Sequence, residues 1–278
     1  MIRISEFFLI CLPIYTCIIS LHIGKDRTIT ILYIKNRRRT MSRVQINASS
    51  DPFQATENTG TLKFYGQSTS RVCKVLWCAA EAGVINIERA EIPLPKLQAE
   101  EWYYKLNPKL TVPTMRDGPL VLNESNTIVQ YISSTYSKGK LYPDNSADVA
   151  LCMQWLEYGE TTIASSQTPV WFGVTKDINH KTKKSPADMD FVRGYDLPKS
   201  IKAWKGFEQH MSDGRSYVMG NKFCMADFTI GIQANRLKMS GGFGFDELKL
   251  KNFPYTSFWL DRLEARPAFQ KYVLPFGA

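Results

Sequence analysis

The chain has 278 residues, 44% hydrophobic and 12% aromatic, which excludes global disorder and leaves room for two domains. Its net charge is +9, but eight cations against four acids fall in the first 60 residues, and the body carries only a solvated run at Lys181, Lys183 and Lys184. That is not the concentrated basic face of a nucleic-acid-binding protein. Six cysteines without a Cys-x-x-Cys, beside three histidines, argue against a zinc site and a disulfide framework and fit reduced thiols in a cytosolic or organelle interior.

In chain order, FFLICLPIYTCIISL (7–21) is apolar but interrupted by Pro13, shorter than the roughly 20 apolar residues of a spanning helix. Its length suits a secretory h-region behind Arg3, yet no convincing cleavage site follows. The basic, acid-poor HIGKDRTITILYIKNRRRT leaves an organelle transit peptide open. A third reading starts the working protein at Met41, whose polar tail MSRVQINASSDPFQATENTG suits the start of a cytosolic chain. Residues 1–58 are therefore expected to be a leader, a disordered extension or a targeting segment.

Regular patterning begins at Thr61. TLKFY reads as a strand and Gly66 as a turn. RVCKVLWCAAEAG is a helix with Val72, Val75, Leu76 and Ala79 on one face and Gly83 as its C-cap. VINIERAEI alternates as a second strand, parallel to the first after a helical crossover. KLQAEEWYYKLN is a short helix ending at Pro108, VPTM-RDGP-LVLN a hairpin and ESNTIVQYISSTY a helix. This βαβ-α-ββ-α order is that of a thioredoxin-like unit. After the polar linker SKGKLYPDNSA the remainder reads helical: ADVALCMQWLEYGETTI, DFTIGIQANRLKM and YTSFWLDRLEA, with Pro267 stopping or restarting a helix. The expected fold is α/β plus all-α: a thioredoxin-like domain at 59–138 followed by a helical bundle at 147–278.

Two stretches carry chemistry. In LVLNESNTIVQYI, Glu124 and Ser125 head a helix whose leading N–H groups lack partners and whose dipole is positive. They are either an N-cap or the seat of a carboxylate ligand. In VPTM, Pro113 either starts an edge strand in the trans form or follows a cis bond that turns Val112 outward.

FYGQSTSRVCKVLW, NPKLTVPTM, LVLNESNTIVQYI, FCMADFTIGI and FPYTSFWLDRLEARPAFQKYV appear in an order and spacing that resemble the glutathione S-transferases, most closely serine-type, theta/phi-like and bacterial members. The resemblance runs from about Thr61 to Phe276. It implies a cis Val112–Pro113 bond, with Val112 pairing with the cysteinyl backbone of glutathione. Ser125 would hold the γ-glutamyl carboxylate and Glu124 its ammonium. Ser70 would be the catalytic hydroxyl, donating to the glutathione sulfur and favouring its thiolate. Ser68, Thr69 and Arg71 stand close enough to compete for that role. Where the family often places Gly-Arg/Lys before Val-Pro, this chain has Leu110 and Thr111; Lys109 or Lys105 would then serve the glycyl carboxylate. In FCMAD, Cys224 replaces the Ser or Thr of a capping box closed by Asp227, and Cys73 and Cys78 read as core. Tyr158, Trp171 and Phe172 are candidates for an electrophile pocket between the domains, with aromatic core as the alternative.

The resemblance implies transfer of glutathione to a hydrophobic electrophile, a detoxification chemistry. Glutathione-dependent disulfide or peroxide reduction on the same site, or a non-catalytic binding role, are the alternatives. Glutathione is the co-substrate, no metal is required, and a cytoplasmic homodimer is expected, with no nucleic-acid partner and no membrane contact for the folded body.

Overall fold

The computed structural model describes residues 16–22, 28–34, 60–174 and 186–276; the Lys181–Lys184 run and Met41 lie outside them. The chain forms two compact units, Met1–Gln54 and Ala55–Ala278. In the first, β1 (Thr16–His22) and β2 (Thr28–Ile34) pair antiparallel, with Ile19 opposite Ile31. Part of the segment expected as a leader or disordered extension is thus a hairpin of β-branched residues, which favour pleated strands.

The second unit starts with a four-stranded sheet in the order β4-β3-β5-β6. β3 (Thr61–Tyr65) lies parallel to β4 (Asn86–Ala90) and antiparallel to β5 (Thr114–Asp117), which pairs with β6 (Leu120–Asn123). Ser68–Val72 makes a wide turn into α1 (Cys73–Glu81), which ends at Gly83 with φ +81°. The expected helix before Pro108 is instead two pieces, α2 (Leu94–Gln98) and α3 (Glu101–Leu106). Glu100 separates them in extended backbone (φ −97°, ψ 121°). α4 (Ser125–Tyr136) completes the thioredoxin-like order.

α1 departs from a simple amphipathic reading: every residue from Val72 to Ala79 is buried. One side meets α4, and the other meets α9 (Ala226–Met239) and α11 (Pro267–Tyr272) of the helical half. Trp77, fully buried, lies edge-on to Phe228 and Phe269 with ring centroids 4.5 and 4.8 Å away. Each buried aromatic of this kind contributes about 1.5–3 kcal/mol from area alone. Glu81 accepts from Trp77 Nε1 and from Nε and Nη2 of Arg266, which joins α1 to the helical half beside Trp77.

The helical half contains α5 (Ser146–Glu157), α6 (Ser165–Val174), α7 (Pro186–Phe191), α8 (Leu197–Met211), α9, α10 (Pro254–Glu264) and α11. Asn145 caps α5 by accepting from the Asp148 N–H at 2.9 Å. The expected single helix through ADVALCMQWLEYGETTI widens at Tyr158–Ala164. There Gly159 lies so close to α9 that a Cβ would come within 2.9 Å of Ile230 and Thr229. Pro267 begins α11, a restart. Among the described residues no helix is long and apolar enough to cross a membrane.

Candidate active site

Strand register decides which segments meet. Thr114 pairs with Tyr65 on one side and with Asn123 on the other. The last residue of β3, the first of β5 and the last of β6 therefore form one row across the sheet. With strands about 4.8 Å apart, the segments leaving that row lie within roughly 10 Å of each other. They are the Gly66–Ser70 turn, the Val112–Pro113 segment and the Glu124–Ser125 start of α4.

The Val112–Pro113 bond is cis. Gly66 (φ +116°) lets this segment press against the turn. A Cβ there would stand 2.8 Å from Val112 Cγ1 and 3.0 Å from Val72 Cγ2. The loop is braced from behind by residues the sequence reading did not single out. Tyr103 and Asn107, both fully buried, donate to the Thr111 carbonyl at 2.6 and 2.9 Å and contact Thr114 Oγ1 at 2.8 and 2.9 Å. The available signal was an Asn four residues before Thr111, a short polar side chain beside a constrained proline.

In the turn, the three adjacent hydroxyls separate. Ser68 is buried and held by Glu91 and Arg89. Thr69 is exposed. Ser70 is half-buried in non-helical backbone (φ −103°, ψ −168°); its hydroxyl donates to the Gln67 carbonyl at 2.6 Å and accepts from the Val72 N–H at 3.3 Å. A hydroxyl rotor of this kind can turn its proton to another acceptor. Arg71, the rival cation, is taken up by an ion pair with Glu160 at 2.7 Å.

At the head of α4, Glu124 adopts φ +73° and no side chain caps the helix. Its carbonyl accepts the first helical bond, from Ile128. Ser125 is buried directly behind it. Lys109 Nζ lies 2.9 Å from Glu124 Oε1, with both side chains more than half exposed. Such a pair contributes about 0–1 kcal/mol and exchanges readily. Lys109 thus reaches Glu124 at the head of α4, whereas Lys105 pairs with Glu101 on α3.

The sequence matches the family described as "Glutathione S-transferase, N-terminal domain" over residues 71–135, a span that holds Val112, Pro113, Glu124 and Ser125 and begins one residue after Ser70. Glutathione S-transferase D6 of Drosophila melanogaster is 28% identical over 163 residues, covering 58% of this chain and 67% of that protein. Glutathione S-transferase GstB of Escherichia coli K12 is 25% identical over 201 residues, covering 69% and 90%. The theta class glutathione S-transferase of Xanthomonas axonopodis pv. citri, solved with glutathione bound, superposes with a TM-score of 0.65 at 28% identity, covering 77% of this chain and 97% of that one. The chain has the glutathione S-transferase fold and resembles members of that family in sequence.

The seam between the two halves of this fold carries a buried polar cluster. Lys74, inside the buried length of α1, donates to Asn126 Oδ1 at 2.7 Å and Thr229 Oγ1 at 3.1 Å and stands 3.5 Å from Glu160. Burial lowers its pKa from 10.5 to about 8, against the pull of Glu160 in the other direction. Asn126 in turn donates to the Leu156 carbonyl and to Glu157. The second residue of α4 is thereby tied to both α1 and the helical half. The sequence signal was a Lys in the middle of an otherwise apolar helix.

The pocket candidates diverge. Trp171 lies 5.6 Å from the Arg236 guanidinium, ring to cation. Tyr158 donates to the Ala203 carbonyl on α8 at 2.7 Å and packs edge-on to Trp155, the geometry of helix packing. The side chain of Phe172 lies outside the described residues. Cys73 and Cys78 are buried, and burial raises both thiols, Cys78 to about 12. Thiols so raised stay protonated and inert.

Proposed function

We propose that the protein is a glutathione S-transferase that binds glutathione across the row of strand ends and activates its thiol for attack on a hydrophobic electrophile. The observation that carries the reading is the convergence of the Ser70 turn, cis Val112–Pro113 and the uncapped α4 N-terminus on one row of the sheet. The backbone of Val112 pairs with the cysteinyl residue as a one-residue strand. The γ-glutamyl carboxylate takes the N–H groups and the Ser125 hydroxyl at the head of α4, where the dipole is positive. Its ammonium displaces Lys109 from Glu124. Lys109, on the proline side of the site, and Thr111 then serve the glycyl end.

Ser70 acts on the sulfur. A free thiol titrates near ~8.5 and is mostly protonated at neutral pH. When the Ser70 hydroxyl swings from the Gln67 carbonyl to the sulfur, it donates a hydrogen bond to the thiolate and lowers that pKa. The thiolate then attacks an electrophilic carbon. No histidine or acid triad is needed, since the serine is never the nucleophile. Residues 59–138 supply the glutathione half of the site and residues 147–278, through Trp171 and its neighbours, the electrophile half. Cytoplasmic location and homodimer formation follow from the same family reading.

The test is retention on immobilised glutathione followed by paired assays with a model aryl halide and a mixed glutathione disulfide. Retention with aryl-halide turnover that Ser70→Ala abolishes supports the reading. Disulfide reduction that survives Ser70→Ala, without aryl-halide turnover, favours a reductase instead.

A further inference from the structure

A second pair of sulfurs lies far along the chain from the proposed site. Cys152, on α5, and Cys224, just before α9, approach to 3.4 Å between Sγ atoms. Both are free thiols. Cys224 sits where a serine or threonine would close a capping box. Asp227 keeps its half of that box, accepting from the Cys224 N–H at 3.0 Å, while the Cys224 sulfur contacts Cys152. The two sulfurs line a cavity of about 200 Å³, with Lys140, Asp148, Met219 and Lys222 among its walls. That cavity holds several water-sized molecules at roughly 30 Å³ each, but not a tripeptide disulfide.

We infer that Cys152 and Cys224 are an oxidation site, converted to an intramolecular disulfide by a hydroperoxide that enters this cavity. The sulfurs need to close by only about 1.4 Å to reach the usual disulfide length of about 2.05 Å. The two thiols share one S–H···S contact and the Ala226 N–H at the start of α9 acts on both sulfurs; the contact lowers the Cys152 thiol and, together with burial, raises that of Cys224, which sets Cys152 as the attacking sulfur. With hydrogen peroxide the steps balance. The Cys152 thiolate attacks one peroxide oxygen, the O–O bond breaks, hydroxide leaves and takes a proton as water, and Cys152 becomes a sulfenic acid. The Cys224 sulfur then attacks the Cys152 sulfur, the S–S bond forms, the S–O bond breaks and a second water leaves. Two thiols lose two electrons and one peroxide becomes two waters. Cys73 and Cys78 are the internal control. They are as deeply buried but do not line the cavity, and Cys78 Sγ faces the Val129 carbonyl and Ser133.

The experiment treats the full chain with hydrogen peroxide, alkylates remaining thiols and maps all six cysteines by mass spectrometry without reduction. The expected result is a peptide cross-linked through Cys152 and Cys224, two hydrogens lighter and released by dithiothreitol, with Cys73 and Cys78 still alkylated. In both Cys152→Ser and Cys224→Ser the cross-link is lost; in Cys224→Ser a sulfenic acid is trapped on Cys152, and in Cys152→Ser the Cys224 thiol stays reduced. Wild-type protein after peroxide melts at a higher temperature than before, and neither variant does. Full alkylation of both cysteines after peroxide that oxidises free glutathione in the same tube overturns the assignment. So does a cross-link formed by glutathione disulfide but not by peroxide. Mapping of the wild type alone decides the point if either variant fails to fold.

Discussion

The N-termini of α4 and α9 differ in what they do with an acid. At α9, Asp227 is fully buried and accepts three donors: the N–H groups of Val218 and Cys224 at 3.0 Å and Trp259 Nε1 at 2.9 Å. Every bond it makes is internal, and burial raises its carboxyl to about 6. At α4, Glu124 is exposed, stands in left-handed backbone and, among the described residues, pairs its side chain with the surface residue Lys109. A helix start closed from within serves folding; one left open beside a strand end offers its N–H groups to a ligand. Each start carries an acid, and its surroundings decide between the two roles.

The most severe test of that contrast is Asp227→Ala. It strands three donors in the core and should lower stability by about 3–5 kcal/mol, read as a large fall in the denaturant midpoint. Glu124→Ala with Ser125→Ala should do the opposite: stability changes by about 1 kcal/mol or less, since no side-chain cap is removed and the Lys109 pair is exposed, while glutathione affinity falls roughly 100-fold, about 2.7 kcal/mol, by calorimetry. If the double variant unfolds and still binds, the contrast is inverted.

Lys74 sharpens the comparison at the seam. Its folded pKa of about 8 lies below the ordinary 10.5. The folded chain releases this proton first, so between those values the unfolded chain binds more protons and Lys74's contribution to stability rises with pH. Below pH 8 it carries a penalty on the order of 3 kcal/mol. Tyr131 and Tyr136, raised above their ordinary 10 by burial and by Asp117, act oppositely, losing stability as pH climbs past 10. The difference between wild type and Lys74→Met across pH 8–10.5 isolates the lysine and should slope upward. Gly66→Ala, which places a methyl 2.8 Å from Val112 in left-handed backbone, should cost about 1–3 kcal/mol and weaken glutathione binding. The smallest effect is expected for Cys224→Ser under reducing conditions, a gain of about 0.5–1 kcal/mol as a hydroxyl restores the cap.

The order of elements was readable because each was a short periodic run bounded by Gly, Pro or Asn, and the Val-Pro and Glu-Ser pairs stood out at strand ends. Glu100 was not readable as a break, because extended backbone at one residue leaves the apolar spacing of α2 and α3 intact. The partners of Lys74 were hidden for another reason. Asn126 and Thr229 lie 52 and 155 residues away, and only packing of the two halves brings them together. Ser68 and Ser70 could not be told apart by spacing; Glu91 and Arg89, reached through the β3–β4 pairing, separate them.

The central claim is that Ser70 holds the glutathione sulfur while the α4 N-terminus holds the other end. Spectroscopic titration of the bound glutathione thiol in wild type and Ser70→Ala tests it most directly. The expected result is a thiolate forming well below the free value of ~8.5 in wild type and a return toward that value in Ser70→Ala, with glutathione still retained. An identical, lowered titration in both proteins would contradict it.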